Sequence, residues 1–218
     1  LVNREPRTIT IDPTSSDKGG FKHFMAKEIA EQPTVLQGAL AHYIDPGATA
    51  VTLPDPGIDF TKIERLTMVA CGTAYYACMV AKYWFEQVAR IPVEIDVASE
   101  FRYREPPVTK GTVALFVSQS GETADTLAAL RYCNENHMTT LGVVNVEEST
   151  ISREANASMQ IRAGPEIGVA STKAFTCQLS TLMALVIKAA RDKGIIDADR
   201  EAALVASLMH LPSLFNEA

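Results

Sequence analysis

The sequence lacks a long apolar run. Its longest strongly apolar stretch is residues 182–187, out of 218 residues in all, whereas a helix needs about 20 to span a bilayer. The first residues contain no apolar signal core, which favours a cytoplasmic location. Basic residues are also few, with 20 against 26 acidic ones and a net charge of −6. No overall basic field would attract nucleic acid, so we expect neither a membrane nor a nucleic acid as partner.

Cysteine is scarce and unpatterned. The four cysteines are Cys71, Cys78, Cys133 and Cys177. No two have CxxC spacing and none has a histidine at zinc-site spacing, so we predict no metal. A disulfide framework is not expected in a chain of this size without a secretion signal. We interpret Cys78 and Cys177 as buried thiols, whereas Cys71, at a strand end before a glycine, is a candidate for ligand contact. Walker, GxGxxG, GxSxG and HExxH motifs are absent, so no nucleotide or other cofactor is predicted.

Apolar strand segments alternate with helical periodicity along most of the chain. The predicted strands are residues 65–71, 92–98, 112–117, 139–144 and, more weakly, 158–162. The predicted helices are 21–43, which Pro33 should kink or split, then 73–90, 122–136, 150–155, 170–193 and 199–209. This alternation predicts a three-layer αβα fold with a five-stranded, parallel, flavodoxin-like sheet. Residues 1–20 form a predicted linker or tail, residues 45–57 a loop, and residues 21–218 one domain.

Small polar residues cluster where predicted strands pass into helices. Ligands of open parallel sheets bind at the carboxyl ends of the strands. After the third strand, the hydroxyls of Ser118, Ser120 and Thr123 and the N–H groups of the next helix suit an anion. Gly121 would let the backbone approach it closely. We expect Glu122, in the first helical turn, to be structural and to point away from the ligand. As an alternative, Ser120 only caps the helix and Thr123 is its three-residue partner.

Another polar cluster, residues 166–173, opens the longest predicted helix. Gly164, Pro165 and Gly168 make its approach loop pliable, and Ser171 or Thr172 is a candidate helix cap. The helix is apolar over most of its circumference. We therefore expect it to be buried in the core or against a second subunit.

Several motifs carry a family resemblance. Residues 118–126 (SQSGETADT) resemble the sugar-phosphate signature of the sugar isomerase (SIS) domain. The likeness extends to residues 23–33 (HFMAKEIAEQP), 70–73 (ACGT), 99–104 (SEFRYR) and 166–175 (EIGVASTKAF). With these motifs in this order, residues 20–218 resemble the first SIS domain of the glutamine–fructose-6-phosphate aminotransferase (isomerizing) family. Residues 1–12 resemble the end of that family's preceding glutaminase domain.

The resemblance implies a site for a hexose 6-phosphate: fructose, glucose or glucosamine 6-phosphate. By motif match, the residues that hold the phosphate and nearby sugar oxygens are Thr73, Ser118, Gln119, Ser120 and Thr123, and those that line the sugar are Val169, Ala170 and Ser171. Ala74 stands in this site where the family usually has serine. One lost neutral hydrogen bond is worth about 0.5–1.5 kcal/mol, so the site should survive.

The resemblance also implies what this sequence does not supply. The family makes glucosamine 6-phosphate from fructose 6-phosphate and glutamine for amino-sugar biosynthesis. Its nucleophilic cysteine, the acid–base groups of its second SIS domain and its imine-forming lysine match no residue here, so we assign no catalytic residue. We expect a sugar-phosphate-binding homodimer with little activity of its own.

Two alternatives remain open at this level. The first is a non-catalytic sugar-phosphate sensor, although residues 1–20 contain no basic helix-turn-helix of the kind that SIS regulators carry. The second is another SIS-type isomerase or deglycase, which would need its own carboxylate base. Glu166 is the only candidate near the predicted pocket.

Overall fold

A single parallel sheet forms the centre of the molecule. The computed structural model describes residues 17–53, 58–107 and 109–217. Five parallel strands pair in the order β2-β1-β3-β4-β5. They are β1 (Arg65–Ala70), β2 (Val93–Val97), β3 (Thr112–Ser118), β4 (Thr139–Val144) and β5 (Ala157–Gln160). The predicted flavodoxin-like sheet is confirmed. The strand order reverses between β1 and β3, so a crevice is expected where these two strands end.

Helices cover both faces of the sheet. They are α1 (Phe24–Tyr43), α2 (Gly72–Trp84), α3 (Ala98–Arg104), α4 (Ala124–Glu135), α5 (Thr150–Glu154), α6 (Lys173–Asp192) and α7 (Ala198–Glu217). α1, α2, α6 and α7 pack on one face, and α3, α4 and α5 pack on the other. None of the helices in the described residues is both long and apolar enough to cross a membrane.

The central strands are buried on both faces. Every residue of β3 is buried. Val113, Leu115 and Val117 join the apolar cluster beneath α1, α2 and α6, while Ala114 and Phe116 join the cluster beneath α3 and α4. Successive strand residues point to opposite faces, so a strand covered on both sides must be apolar throughout. This requirement explains the continuous apolar runs in the sequence.

Helix α1 runs through Pro33 without a break, so the predicted split is wrong. Proline has no N–H and cannot bond the carbonyl four residues earlier, which here belongs to Ile29. The Gln32 side chain donates a hydrogen bond to that carbonyl at 3.2 Å. A side chain thus replaces the missing backbone donor.

Several boundaries differ from the predicted ones. Helix α3 was not predicted, because it is short and buries only Ala98 and Phe101. The second predicted helix ends as regular helix at Trp84 and continues as a wide π-type turn over Phe85–Ala89. Helix α7 extends past the predicted end at residue 209 to Glu217, through Pro212.

The N-terminal region is described only in part. Residues 1–16 lie outside the described residues, so the prediction of a linker over residues 1–20 and of a domain over residues 21–218 stays a prediction. Residues 54–57 of the predicted loop also lie outside. The rest of that loop is organised by Asp45, whose carboxylate accepts hydrogen bonds from the N–H groups of Thr49 and Ala50 at 2.8 and 2.7 Å.

Candidate functional site

A cavity of about 240 Å³ lies where β1 and β3 end. Its lining includes eight of the nine residues predicted for the site: Thr73, Ala74, Ser118, Gln119, Ser120, Thr123, Val169 and Ser171. Ala170, the ninth, is exposed and is not among the lining residues. A larger cavity of about 420 Å³ lies near the opposite ends of the strands, at Arg65 and Thr112. Position at the reversal of strand order, rather than size, therefore identifies the candidate site.

The turn after β3, residues 118–123, is held by its own hydroxyls. Ser118 Oγ accepts a hydrogen bond from the Gly121 N–H at 3.0 Å and lies 3.1 Å from Thr123 Oγ1. Ser120 Oγ accepts from the Glu122 N–H at 3.1 Å. We call these six residues the serine turn. The three residues that carry these hydroxyls, Ser118, Ser120 and Thr123, line the cavity at the end of the sheet.

Among the residues that the structure describes, no side chain caps the start of α4. Thr123 is the residue that precedes the helix, and it makes no side-chain cap hydrogen bond. The alternative in which Ser120 caps the helix is therefore wrong. The first N–H groups of a helix have no intrahelical partner, and the helix dipole adds partial positive charge there. Together with the serine turn, this end of α4 is suited to a small anion.

Gly121 is required by the packing beneath the serine turn. Its φ is +65°, a conformation that is unfavourable for residues with a Cβ. A Cβ there would lie 2.1 Å from Ser149 Oγ. The Gly121 carbonyl also accepts a hydrogen bond from the Ile151 N–H at 3.0 Å. The serine turn is thereby fixed against the start of α5.

Glu122 lies before α4 rather than in its first turn, because the helix begins at Ala124. The carboxylate accepts a hydrogen bond from the Thr150 N–H at 2.6 Å, at the start of α5. This hydrogen bond lowers the pKa of the Glu122 carboxyl below its ordinary value. Glu122 is not among the lining residues of the cavity and instead joins the serine turn to the start of α5, in agreement with the structural role expected for it.

Thr172 is the N-cap residue of α6, one of the two predicted candidates, but its side chain makes no cap hydrogen bond, and the Glu166 carboxylate supplies the cap instead. Glu166 Oε1 accepts from the N–H groups of Thr172 and Ala174 at 2.8 and 3.1 Å. Ser171 Oγ donates to the other carboxylate oxygen at 3.1 Å. A carboxylate is favourable at this end of a helix. It holds Ser171 at the cavity wall.

Glu28, on α1, anchors the neighbouring loop. The residue is 2% exposed, and its carboxylate accepts hydrogen bonds from the N–H groups of Ile167 and Gly168 at 2.6 and 3.0 Å. A Cβ on Gly168 would lie 2.4 Å from Glu28 Oε2. Glu28 was not among the predicted site residues, because no local pattern reveals a partner 139 residues away.

Nearby charges are paired with each other. Buried Lys173 donates to Glu31 Oε2 at 2.8 Å, and Arg102 of α3 pairs with Asp125 of α4 at 3.0 Å. Burial opposes ionisation of Glu31, but Lys173 and Lys27 outweigh it and lower its pKa. Among the described residues that line the cavity, Glu166 is charged and there is no Lys, Arg or His. A bound anion would therefore rely on hydroxyl and backbone N–H donors.

Cys71 also lines the cavity, in agreement with its expected place at the end of β1. It is partly exposed, whereas the other three cysteines are buried and all four are free thiols. Burial raises the pKa of the Cys133 and Cys177 thiols to about 12. Within the described residues, no group of three or more His, Cys, Asp or Glu is arranged to hold a metal ion.

Comparisons with known proteins agree with this geometry. A family model described as the SIS domain matches residues 59–188. The chain is 58% identical over 200 residues to glutamine–fructose-6-phosphate aminotransferase (isomerizing) from Brucella abortus, covering 92% of this chain and 33% of the relative. It is 56% identical over 217 residues to the enzyme of that name from Rhizobium meliloti, covering 36% of it. The chain thus spans about a third of the length of these relatives.

A solved structure shows the same fold. The C-terminal domain of glucosamine-fructose-6-phosphate aminotransferase from Francisella tularensis superposes with a TM-score of 0.87 at 38% identity. The match covers 91% of this chain and 56% of that one. The match to the SIS model includes both strand ends that form the cavity and the start of α6.

Proposed function

The chain belongs to the SIS domain family, and from that premise we propose that it is the first sugar-phosphate-binding domain of a glutamine–fructose-6-phosphate aminotransferase (isomerizing). The proposed ligand is a hexose 6-phosphate: fructose, glucose or glucosamine 6-phosphate. One observation carries the proposal. The hydroxyls of the serine turn lie before the uncapped N-terminus of α4, at the reversal of strand order.

The phosphate would bind at the serine turn. Ser118, Ser120 and Thr123 supply hydroxyls, and the first turn of α4 supplies N–H groups. Gln119 and Thr73 also line this cavity. No salt bridge is needed, which suits a ligand that must be released. The sugar would extend toward Val169 and the α6 side of the cavity.

The parent protein would make glucosamine 6-phosphate from fructose 6-phosphate and glutamine. This chain alone would bind the sugar without turning it over. The carboxylate that lines the cavity, Glu166, already accepts hydrogen bonds at the start of α6. No His or Lys lines the described cavity to take over the proton transfers.

Calorimetric titration tests the binding proposal. The wild-type chain should bind fructose 6-phosphate and glucose 6-phosphate. Ser120→Ala should weaken both by about 10- to 100-fold, since a hydrogen bond to a charged group contributes about 1.5–3 kcal/mol. Ser152→Ala is the matched control. The half-buried Ser152 hydroxyl lies 2.8 Å from the Ser158 hydroxyl, and Ser152 does not line the cavity. No binding to the wild type, or equal losses in both variants, would refute the proposed site.

Product formation tests the proposal that this chain is inactive alone. We expect no glucosamine 6-phosphate from the chain supplied with fructose 6-phosphate and ammonia or glutamine. Substantial turnover that Glu166→Gln abolishes would instead favour the alternative of a self-sufficient SIS isomerase or deglycase. The hydrogen bonds at Glu166 argue against that alternative.

We also propose that the protein is a cytoplasmic homodimer. Four free thiols fit a reducing compartment. Tyr76, Met79 and Tyr83 form an exposed apolar stripe on α2, with Tyr76 61% and Tyr83 62% exposed. Such a stripe favours burial against another subunit. Sedimentation equilibrium should give twice the chain mass for the wild type and less for Tyr83→Glu, and a wild-type monomer would contradict the dimer.

A further inference from the structure

Gln178, on α6, is a buried side chain with an unused acceptor. It is 1% exposed and lines the cavity. Its amide oxygen has no hydrogen-bond partner among the described residues. A buried polar atom without a partner is costly and uncommon in folded proteins. In the wall of a ligand cavity, that cost indicates a partner that arrives with the ligand.

The chemistry of the two walls differs. The serine turn and the start of α4 offer hydroxyl and N–H donors, which match a phosphate group. Two other lining residues carry acceptors: Gln178 of α6, whose amide oxygen has no partner among the described residues, and Glu166 of the loop before α6, whose carboxylate already accepts hydrogen bonds from Ser171 and Thr172. An amide oxygen only accepts hydrogen bonds, and a phosphate dianion also only accepts them. The partner of Gln178 must therefore be a donor, and on a sugar phosphate that donor is a hydroxyl.

We propose that Gln178 accepts a hydrogen bond from a hydroxyl of the bound sugar phosphate and so selects and orients the sugar. This inference rests on the proposed function, since it requires a sugar phosphate in the cavity. The bound sugar would lie with its phosphate at the serine turn and its hydroxyl-bearing carbons against α6. Gln178 would then distinguish a sugar phosphate from inorganic phosphate.

Two variants of α6 test the role of Gln178. Gln178→Met keeps the length of the side chain and removes the acceptor. Thr181→Val is the matched control: its hydroxyl is also buried and without a partner, on the same helix, but Thr181 does not line the cavity. Both variants remove an unpartnered polar group, so both should fold. Thermal unfolding would verify this.

Calorimetric titration should separate the two ligands. We expect Gln178→Met to bind fructose 6-phosphate about tenfold more weakly than wild type, as expected for one lost hydrogen bond, with inorganic phosphate affinity unchanged within about twofold. Thr181→Val should leave both affinities unchanged. Unchanged affinity for fructose 6-phosphate in Gln178→Met would overturn the inference. Equal weakening of both ligands would overturn it as well, because it would indicate general damage to the cavity.

NMR spectroscopy of the wild type provides a second test of Gln178, without a variant. The side-chain amide NMR resonances of Gln178 should shift on saturation with fructose 6-phosphate and stay in place with inorganic phosphate. If these resonances do not shift with fructose 6-phosphate although calorimetry shows that it binds, the role of Gln178 is overturned and the proposed function stays intact. Failure of the wild type to bind fructose 6-phosphate would refute the proposed function itself, and the inference with it.

Discussion

Replacing Gly121 by alanine should destabilise the protein through the packing of the serine turn. The residue has a φ of +65°, which costs an alanine roughly 1–2 kcal/mol. The new Cβ would lie 2.1 Å from Ser149 Oγ and 2.4 Å from Ser149 Cβ. Overpacking of this kind adds about 1–3 kcal/mol. We therefore expect a loss of about 2–5 kcal/mol in the free energy of unfolding.

Gly72→Ala is the matched control. Gly72 also follows a strand and has a φ of +57°, but apart from its two chain neighbours and the backbone of its own helix, no atom of the described residues lies within 4 Å of the position that its Cβ would take. Its loss should be limited to about 1–2 kcal/mol of backbone strain. Any effect of alanine on the unfolded chain applies to both variants and cancels in their difference. The difference, about 1–3 kcal/mol, reports the contact with Ser149.

Urea denaturation measures these losses, provided that the slope of the free energy of unfolding against urea concentration is the same for the wild type and the variants. Adding Ser149→Gly to Gly121→Ala should recover most of the difference, because it removes both close atoms and the Ser149 hydroxyl has no partner to lose. A double-mutant cycle with Ser149→Gly alone isolates this coupling. If Gly72→Ala and Gly121→Ala are equally destabilising, steric contact beneath the serine turn is not what requires the glycine.

Three further predictions concern reactivity, pH and the loop anchor. Iodoacetamide should label Cys71 alone in the native protein. Fructose 6-phosphate at about ten times its Kd should slow this labelling about tenfold. A labelling rate that the sugar phosphate does not change would contradict ligand contact at Cys71. In the folded protein the pKa of the Glu122 carboxyl lies below its ordinary value of 4.5. The stabilisation that this carboxylate provides is therefore fully present above pH 4.5, and it is lost as the pH falls through the folded-state pKa. Glu122→Gln should thus show a smaller drop in urea midpoint than wild type between about pH 6 and about pH 3, and an equal drop would exclude this role. Glu28→Gln should lower the free energy of unfolding by about 1–3 kcal/mol and weaken sugar binding. The control, Glu135→Gln at an exposed position, should change the free energy of unfolding by under about 0.5 kcal/mol. Similar effects from both variants would show that Glu28 does not anchor the loop.

Local pattern was sufficient for the sheet. A strand buried on both faces must be apolar at every position, so β1, β3 and β4 are visible as apolar runs. The cap of α6 and the continuity of α1 through its proline were less predictable, because each depends on one particular side-chain hydrogen bond. Glu166 caps α6 from outside the helix, and Gln32 replaces the donor that Pro33 lacks. Neither contact has a signal in helical periodicity.

Some features of the candidate site are likewise predictable from local sequence, whereas others are not. The serine turn is one continuous segment, so its hydroxyls and Gly121 could be predicted together as a candidate anion site. Gln178 and Glu28 belong to helices whose sequence patterns indicate only burial. Their polar atoms acquire a role only from what the fold brings beside them.

The sequence by itself determined the alternating architecture and the chemistry of the serine turn, because both depend on neighbours along the chain. Only the tertiary structure decided that a polar side chain of α6, Gln178, lines the cavity and that one of α1, Glu28, anchors the loop beside it. Those positions depend on how helices pack against the ends of β1 and β3, and packing between distant segments leaves no periodic signal in the sequence. The Gln178 acceptor therefore became visible only once the chain was folded.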